Sequence, residues 1–336
     1  MKKKHGISAA GKVLFALAFI LLASCATPPI PVAPSKFSPE PWNGNSIVGT
    51  SYGRLEGKSD DVSTFAWWGI PYAMPPVGDL RWQAPRPPEP WQGLREARRY
   101  GTKSIQRSSL TGLPVGSEDS LFLNIWRPAT AEKDLPVYVW IHGGSNTSGA
   151  SNAAPEYRGA ALASKANLIF VSVNYRLDVF GWFAHPALKT GDPETDSGNF
   201  GTLDLIEALR WVRENISAFG GNPGNVTIAG ESAGALNVLT LLIAPKAKGL
   251  FHRAIVESGY TQRTKLEPGD FAENLALRLV IQQGKANSEK KADDFLASLS
   301  QPELAKWLRS ASPGELLRLS KPQKNTILSL PYPIFD

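Results

Sequence analysis

From Asn43 onward the apolar positions fall into two kinds of run. "LPVYVWIHGG", "ANLIFVSVNYR" and "NVTIAG" are rich in β-branched residues and apolar without alternation. A strand that is apolar on both sides is covered on both sides, so these runs predict parallel strands inside a layered sheet. "GRLEG" (Gly53 to Gly57), "STFAWWGIPYA" and "RAIVESG" are further strand candidates, the first two closed by turn or proline-broken segments. Other segments repeat at helical spacing. In "GTLDLIEALRWVRENI", Leu203, Ile206, Leu209 and Val212 share one face. "SAGALNVLTLLIA" is apolar nearly all round, as a helix beneath a sheet would be. Strands alternating with helices predict an α/β fold with a mostly parallel, doubly wound sheet. After Gly259 the strands stop, and amphipathic stretches from about Phe271 to Leu319, broken near Gly284 and Pro313, predict several helices.

The first 42 residues follow neither pattern. "MKKKHGISAAGK" is basic, and "VLFALAFILLA" is an apolar core too short to span a bilayer as a stable helix. Residues 1–24 therefore have the form of an export signal. "LASC", Leu22 to Cys25, resembles a bacterial lipobox, with Cys25 as the lipidated first residue of the mature chain. An ordinary cleaved signal with an incidental cysteine is the alternative. Either reading places the protein outside the cytoplasm, and the lipobox reading places it on the bacterial cell envelope. Cys25 is the only cysteine, so no intramolecular disulfide is available. Residues 25–42 are proline-rich ("ATPPIPVAPSKFSPEPW" comes after Cys25) and predict a stiff, extended tether. Residues 43–336 form the candidate folded domain.

Composition narrows the function classes only a little. The 336 residues are 42% hydrophobic, enough for one large or two ordinary domains. The formal charge is +6, but Lys2, Lys3, Lys4 and Lys12 all lie in the export segment. Taking those four from the 36 basic residues leaves 32 against 30 acidic, a net of +2. That balance gives no argument for a nucleic-acid partner. No internal repeat is visible. No cofactor or metal is expected, and the oligomeric state is not legible.

The candidate chemistry begins at "GESAGA", Gly230 to Ala235. Gly-x-Ser-x-Gly after a β-branched strand and before an apolar helix is the pattern of a serine nucleophile on a sharp turn. In open α/β sheets the site forms at the carboxyl ends of the strands, which is where "NVTIAG" delivers Ser232. "VYVWI" ends at Ile141 and delivers His142, Gly143 and Gly144 to the same end. The backbone N–H groups of Gly143, Gly144 and Ala233 could form a three-donor oxyanion hole.

These residues resemble the type-B carboxylesterase and cholinesterase family. "FGGNPGNVTIAGESAG" is similar to its nucleophile signature, and "SEDSLFLNIWRP" to its second signature, usually written with EDCL. "GIPYAMPPVGDLRWQAP", "VYVWIHGG", "NYRLDVFGWF" and "GLFHRAIVESG" match in the family's order, so the likeness covers roughly Val48 to Asp336. The resemblance implies an α/β-hydrolase fold and hydrolysis of small carboxylic esters through an acyl-serine. It implies Ser232 as nucleophile, Gly143, Gly144 and Ala233 as oxyanion donors, and Glu231 as a buried acid tuning the site. It also implies two structural ion pairs, Arg81 with Glu118 and Arg176 with Asp204. Trp67, Trp68, Trp82 and Trp91 are read as packing, and the sequons "NTS", "NVT" and "NIS" as incidental.

Two departures matter. The family's common disulfide would fall at Ser104 and Ser120, both serine here, which implies the loss of a bond. The other concerns the base. In this fold the triad runs Ser, acid, His. Only His252 comes after Ser232; His5, His142 and His185 precede it, and no Asp or Glu lies between Ala233 and Phe251. His252 also precedes "RAIVESG", which puts it at the amino end of a strand. The resemblance implies that the family's acid and histidine lie beyond the segment that "LPYPIFD" matches. The chain is then expected to correspond to the amino-terminal part of an esterase, through a truncated gene, a frameshift or an incomplete gene model. Two function classes stay open: an exported serine esterase, or a non-catalytic binding or surface lipoprotein on an esterase scaffold.

Overall fold

The computed structural model describes residues 36–60, 62–259 and 268–320. Among them the main sheet has seven strands: β1 (Lys58–Ser59), β2 (Thr64–Pro71), β3 (Phe122–Pro128), β4 (Leu135–Ile141), β5 (Ile169–Val173), β6 (Gly221–Glu231) and β7 (Arg253–Glu257). Their spatial order is β7-β6-β4-β5-β3-β2-β1. The apolar runs β4 and β5, together with β6 and β7, form a parallel block. β3, β2 and β1 add to β5 as an antiparallel flank. The apolar pattern does not reveal β3, which lies inside "SEDSLFLNIWRP". Leu123 and Ile125 are fully buried, and Asn124 is buried as well, its amide bonded to Ser151 and Ser172.

Three helices matter for the sheet: α1 (Ala160–Ala166), α2 (Phe200–Asn215) and α3 (Ala233–Ile243). α1 covers one face with Trp126, Trp140 and Phe170. On the other face, Leu205, Ile206, Leu209 and Val212 of α2 and Val238 and Leu241 of α3 enter the largest core with Val137, Val139, Ile141, Val171 and Ile228. Both faces of β4, β5 and the end of β6 are therefore packed, which is why these strands carry no polar alternation.

Beyond residue 267 come α4 (Pro268–Gln282), α5 (Glu289–Ala297), α6 (Gln301–Ser310) and α7 (Pro313–Leu319). The sequence places breaks near Gly284 and Pro313; Gly284 has φ +70° after α4, and Pro313 opens α7. Ser300 with Glu303, and Ser312 with Glu315, form reciprocal capping boxes that satisfy the first free N–H groups of α6 and α7. Leu275, Leu279, Leu308 and Leu316 pack with Trp82, Phe180 and Phe183 as a second core.

Residues 1–35, including the export signal and Cys25, and residues 321–336 with "LPYPIFD" lie outside the described residues. The described end of the proline-rich stretch is not a free tether. Phe37 and Glu40 donate N–H bonds to Ser51 and Gly49, Lys36 pairs with Glu214, and Trp42 is buried under the Arg127 guanidinium, 3.9 Å from its ring centroid. Burying an indole outweighs the freedom that proline composition alone would suggest.

Candidate active site

The registers of the parallel block bring the chain ends together. Ile141 of β4 stands beside Val173 of β5 and Gly230 of β6, so the segments leaving these three strands meet at one edge of the sheet. After β6 the chain turns at once: β6 ends at Glu231, Ser232 is the whole connection, and α3 starts at Ala233. Ser232 has φ +56° and ψ −120°, a sparsely populated region for a residue with a side chain. Such a conformation costs about 1–3 kcal/mol and persists only where its surroundings enforce it. The Ser232 N–H donates to Glu257 O at 2.9 Å, and its carbonyl accepts from the Leu236 N–H at 3.0 Å. Ser232 remains partly exposed.

The flanking glycines are a packing condition. A side chain on Gly230 would come within 2.5 Å of the Gly234 backbone, and one on Gly234 would run into the Ile141 carbonyl. The spacing Gly-x-Ser-x-Gly thus lets the end of β6, the start of α3 and the end of β4 touch.

The glycine pair after β4 passes directly beside the serine. A Cβ on Gly143 would lie 2.6 Å from the Glu231 carbonyl, 3.0 Å from its Oε2 and 3.3 Å from Ser232 Cβ. Gly144 adopts φ +107°, and its carbonyl accepts N–H bonds from Thr147 and Ser148 at 3.0 Å each, folding the loop back. The Gly143 and Gly144 N–H groups donate to no other described group. Ala233 begins α3, so its N–H is one of the four that a helix leaves unpaired. Glu231 is only partly buried, with its carboxylate against Gly143.

A buried polar network not anticipated from the sequence fixes this loop. Tyr175 donates its hydroxyl to the His142 carbonyl at 2.7 Å and lies 3.3 Å from Asn146 Oδ1. Asn237, on α3, donates to the same Asn146 oxygen at 2.9 Å. The nucleophile's helix and the glycine loop are thereby tied together. Burial pushes the Tyr175 hydroxyl pKa far up, so it remains a donor. The only signal of this network in the sequence is Asn237, the one amide in the apolar run of α3.

No hydrogen bond joins a described histidine to Ser232. His142 is closest along the chain, but its Nδ1 is 2.8 Å from Gly143 O and its ring stacks on Tyr175 at 4.5 Å. Burial lowers its pKa to about 4, so it is neutral at pH 7. His185 accepts the Ala187 N–H at 3.1 Å as a helix cap, and burial lowers its pKa to about 4 as well. His252 exchanges bonds with Val226, its Nδ1 accepting the Val226 N–H at 3.1 Å. Val226 precedes Ser232 by six strand residues, about 20 Å at ~3.3 Å each.

The other residues that the sequence points to sit in the scaffold. Arg81 grips Glu118 with two bonds, Nε–Oε2 2.7 Å and Nη2–Oε1 2.5 Å, and also donates to the Arg309 and Ala311 carbonyls, tethering α6. Asp204 accepts three bonds from Arg176, through its N–H, Nε and Nη2 at 3.0, 2.8 and 2.7 Å. Ser104 and Ser120 are buried with hydroxyl oxygens 3.0 Å apart. Trp67 and Trp82 are fully buried, and Trp68 stacks on Tyr100 at 4.3 Å.

A strained serine between strand and helix, beside a glycine loop from the neighbouring strand of a mixed sheet, defines an α/β-hydrolase. The chain belongs to the carboxylesterase family, whose family model matches residues 44–334. It is 43% identical over 269 residues to the para-nitrobenzyl esterase of Bacillus subtilis (strain 168), covering 78% of this chain and 54% of that protein. It is 41% identical over 276 residues to the fumonisin B1 esterase of Sphingopyxis macrogoltabida, covering 81% and 46%. Among solved structures, a PNB esterase superposes with TM-score 0.71 at 38% identity, covering 86% of this chain and 56% of that one. The Geobacillus stearothermophilus carboxylesterase EST55 gives 0.68 at 39%, covering 82% and 54%. The chain spans about half the length of the curated relatives it matches.

Proposed function

We propose that this chain carries the nucleophile and oxyanion half of an exported serine carboxylic ester hydrolase. The observation that carries the reading is Ser232 at φ +56° with Gly143 packed against it. A strained, partly exposed serine beside N–H groups that no other described group uses is an arrangement suited to attack on a carbonyl. Ser232 Oγ adds to the ester carbonyl carbon as a base removes its proton. The carbonyl oxygen becomes an oxyanion that the amides of Gly143, Gly144 and Ala233 stabilise, each donor contributing about 3 kcal/mol in the transition state. Collapse expels the alcohol, which takes the proton from the base, and leaves an acyl-serine. Water then adds to the acyl carbon by the same route and releases the acid. Glu231 supplies negative charge beside the nucleophile.

The base is the element that the described residues do not provide. Loss of the base in a serine–histidine unit costs about 10⁶-fold in turnover in subtilisin. The 336-residue chain alone is therefore expected to hydrolyse p-nitrophenyl acetate or butyrate barely above background. Turnover and fluorophosphonate labelling, measured for the folded chain and for Ser232→Ala, test this. Robust turnover abolished by Ser232→Ala would show that one of His142, His185 and His252 acts after all. The commitment of all three rings to backbone groups is what favours the second reading, a surface lipoprotein on an esterase scaffold that binds without catalysis. In either reading Cys25 carries lipid and holds the domain at the bacterial cell envelope, facing the periplasm or the exterior.

A further inference from the structure

The amides of Gly143 and Gly144 are only as well placed as the loop that follows them, and that loop is held from outside at two points. The Asn146 carbonyl accepts the Asp178 N–H at 2.7 Å. Three residues on, the Gln106 side chain closes a reciprocal pair with the Gly149 backbone. Its Oε1 accepts the Gly149 N–H at 2.9 Å, and its Nε2 donates to the Gly149 carbonyl at 2.8 Å. Between these holds, the Thr147 and Ser148 N–H groups turn back to Gly144 O. Ser145 and Asn146 have φ +56° and +55°, a strained pair that persists only where its neighbours enforce it. Asp178 itself is buried at φ +53°. Aspartate tolerates that region because its short side chain bonds locally, and here Oδ1 accepts the Val179 N–H at 2.8 Å.

The other carboxylate oxygen of Asp178 faces Arg107, Oδ2 lying 3.6 Å from Nη2. Arg107 follows Gln106 on the short strand Gln106–Arg107, and consecutive strand residues point to opposite sides. One strand therefore grips Gly149 through Gln106 and Asp178 through Arg107. The second arm of the guanidinium, Nη1, donates to the Leu317 carbonyl and stands 3.4 Å from Ser320 Oγ. These groups belong to the last turn of α7, where a helix leaves carbonyls unpaired. A planar guanidinium serves both partners at once, which a lysine does not. The Ser320 hydroxyl also bonds the Asp178 carboxylate. Burial, the largest influence, raises the Asp178 pKa, and Ser320, Arg107 and the Val179 N–H act the other way. Pro114, on the strand paired with Gln106–Arg107, lies against Gly314 of α7, where a Cβ would come 3.3 Å from its Cγ. Asn146, Asp178 and Ser320 are 1%, 4% and 3% exposed, so the connection is interior to the described residues.

We propose that Asp178 is a positioning residue for the glycine loop, and that its pairing with Arg107 makes the seating of that loop depend on α7. The proposal deepens the reading of Gly143 and Gly144 as oxyanion donors and rests on it. Its test needs no turnover, so it fails separately from that reading, which fluorophosphonate labelling of Ser232 decides. The measurement is residue-resolved amide hydrogen exchange on the full chain in mild non-ionic detergent, with Thr147, Ser148 and Gly149 as reporters. Asp178→Asn keeps the side-chain shape, the tolerance of positive φ and the bond to Val179, and removes only the charge that faces Arg107. It should speed exchange at the three reporters by roughly tenfold and leave the amides of β4 and β6 unchanged. Arg107→Met should do the same, and the double variant should add little, because both changes break one link. Leu316→Ala loosens α7 through a fully buried side chain. It should speed the reporters when Arg107 is present and have little further effect in Arg107→Met. Circular dichroism and urea unfolding check that each variant folds; if Asp178→Asn does not, Arg107→Met breaks the same link from its other side. Reporters that do not respond in a folded variant would overturn the proposal. So would a rise shared equally by β4 and β6, or a Leu316→Ala effect that is the same with and without Arg107.

Discussion

Replacing Ser104 and Ser120 together by cysteine is a sharp test of how this scaffold is held. Both residues are buried, their hydroxyl oxygens lie 3.0 Å apart, and they border a small cavity lined by Pro76, Trp82, Ile105 and Phe180. The longer Cβ–S bonds bring two sulfurs from these positions to bonding distance with little backbone movement, and the cavity accepts their larger radius. The bond would close a loop of sixteen residues' separation, for which the chain-entropy treatment gives about 3 kcal/mol. Against this stands the loss of the Ser104 hydroxyl bond to the Tyr175 carbonyl, 2.6 Å long and worth about 1 kcal/mol. The net expectation is about 2 kcal/mol, or a rise in Tm of roughly 4 °C for a domain of this size. The assay is thermal unfolding of Ser104→Cys/Ser120→Cys on a Cys25→Ser background, oxidised and reduced, with free thiols counted. Oxidised protein should show no free thiol and melt above its reduced form. If the thiols stay free under mild oxidant, or the two forms melt together, the placement of the segments that carry Ser104 and Ser120 is wrong.

Three further outcomes are expected of the same structure. Asp204→Ala should destabilise the chain by about 3–5 kcal/mol, because it leaves the Arg176 guanidinium buried without its partner; Arg176→Met/Asp204→Leu should recover much of that loss, and urea midpoints measure both. His142 and His185 have folded pKa values lowered to about 4, below the unfolded value near 6.5, so the unfolded state binds more protons between those limits. Their contribution to stability should thus be flat above pH 7 and fall as pH drops from about 6.5 toward 4, and His142→Phe should remove part of that fall in urea titrations at pH 7 and pH 5. The lipobox reading expects the mature protein to partition with membranes and Cys25→Ser to appear in the soluble fraction; a variant that stays membrane-bound would refute lipidation at Cys25, since several acyl chains on one residue would account for the anchoring.

The sequence by itself determined the parallel block, the serine turn and the glycine loop. β-Branched runs without alternation suit strands buried on both faces, and the glycines of Gly-x-Ser-x-Gly mark where β6, α3 and β4 must approach closely. Chain order also located His252 at the wrong end of its strand. Other features depended on contacts between segments far apart in sequence, which carry no periodic signal. The antiparallel placement of β3 was hidden because its segment reads as an acidic signature with mixed residues after it, and only pairing with β5 and β2 makes it a strand. The Tyr175, Asn146 and Asn237 network was hidden because each member is an ordinary polar residue until distant loops and a helix converge. Trp42 changed from tether to core because burial of one indole depends on Arg127, 85 positions away. The local turn is fixed by backbone sterics. The surroundings of Ser232, and the failure of three histidine rings to reach it, are fixed by tertiary packing.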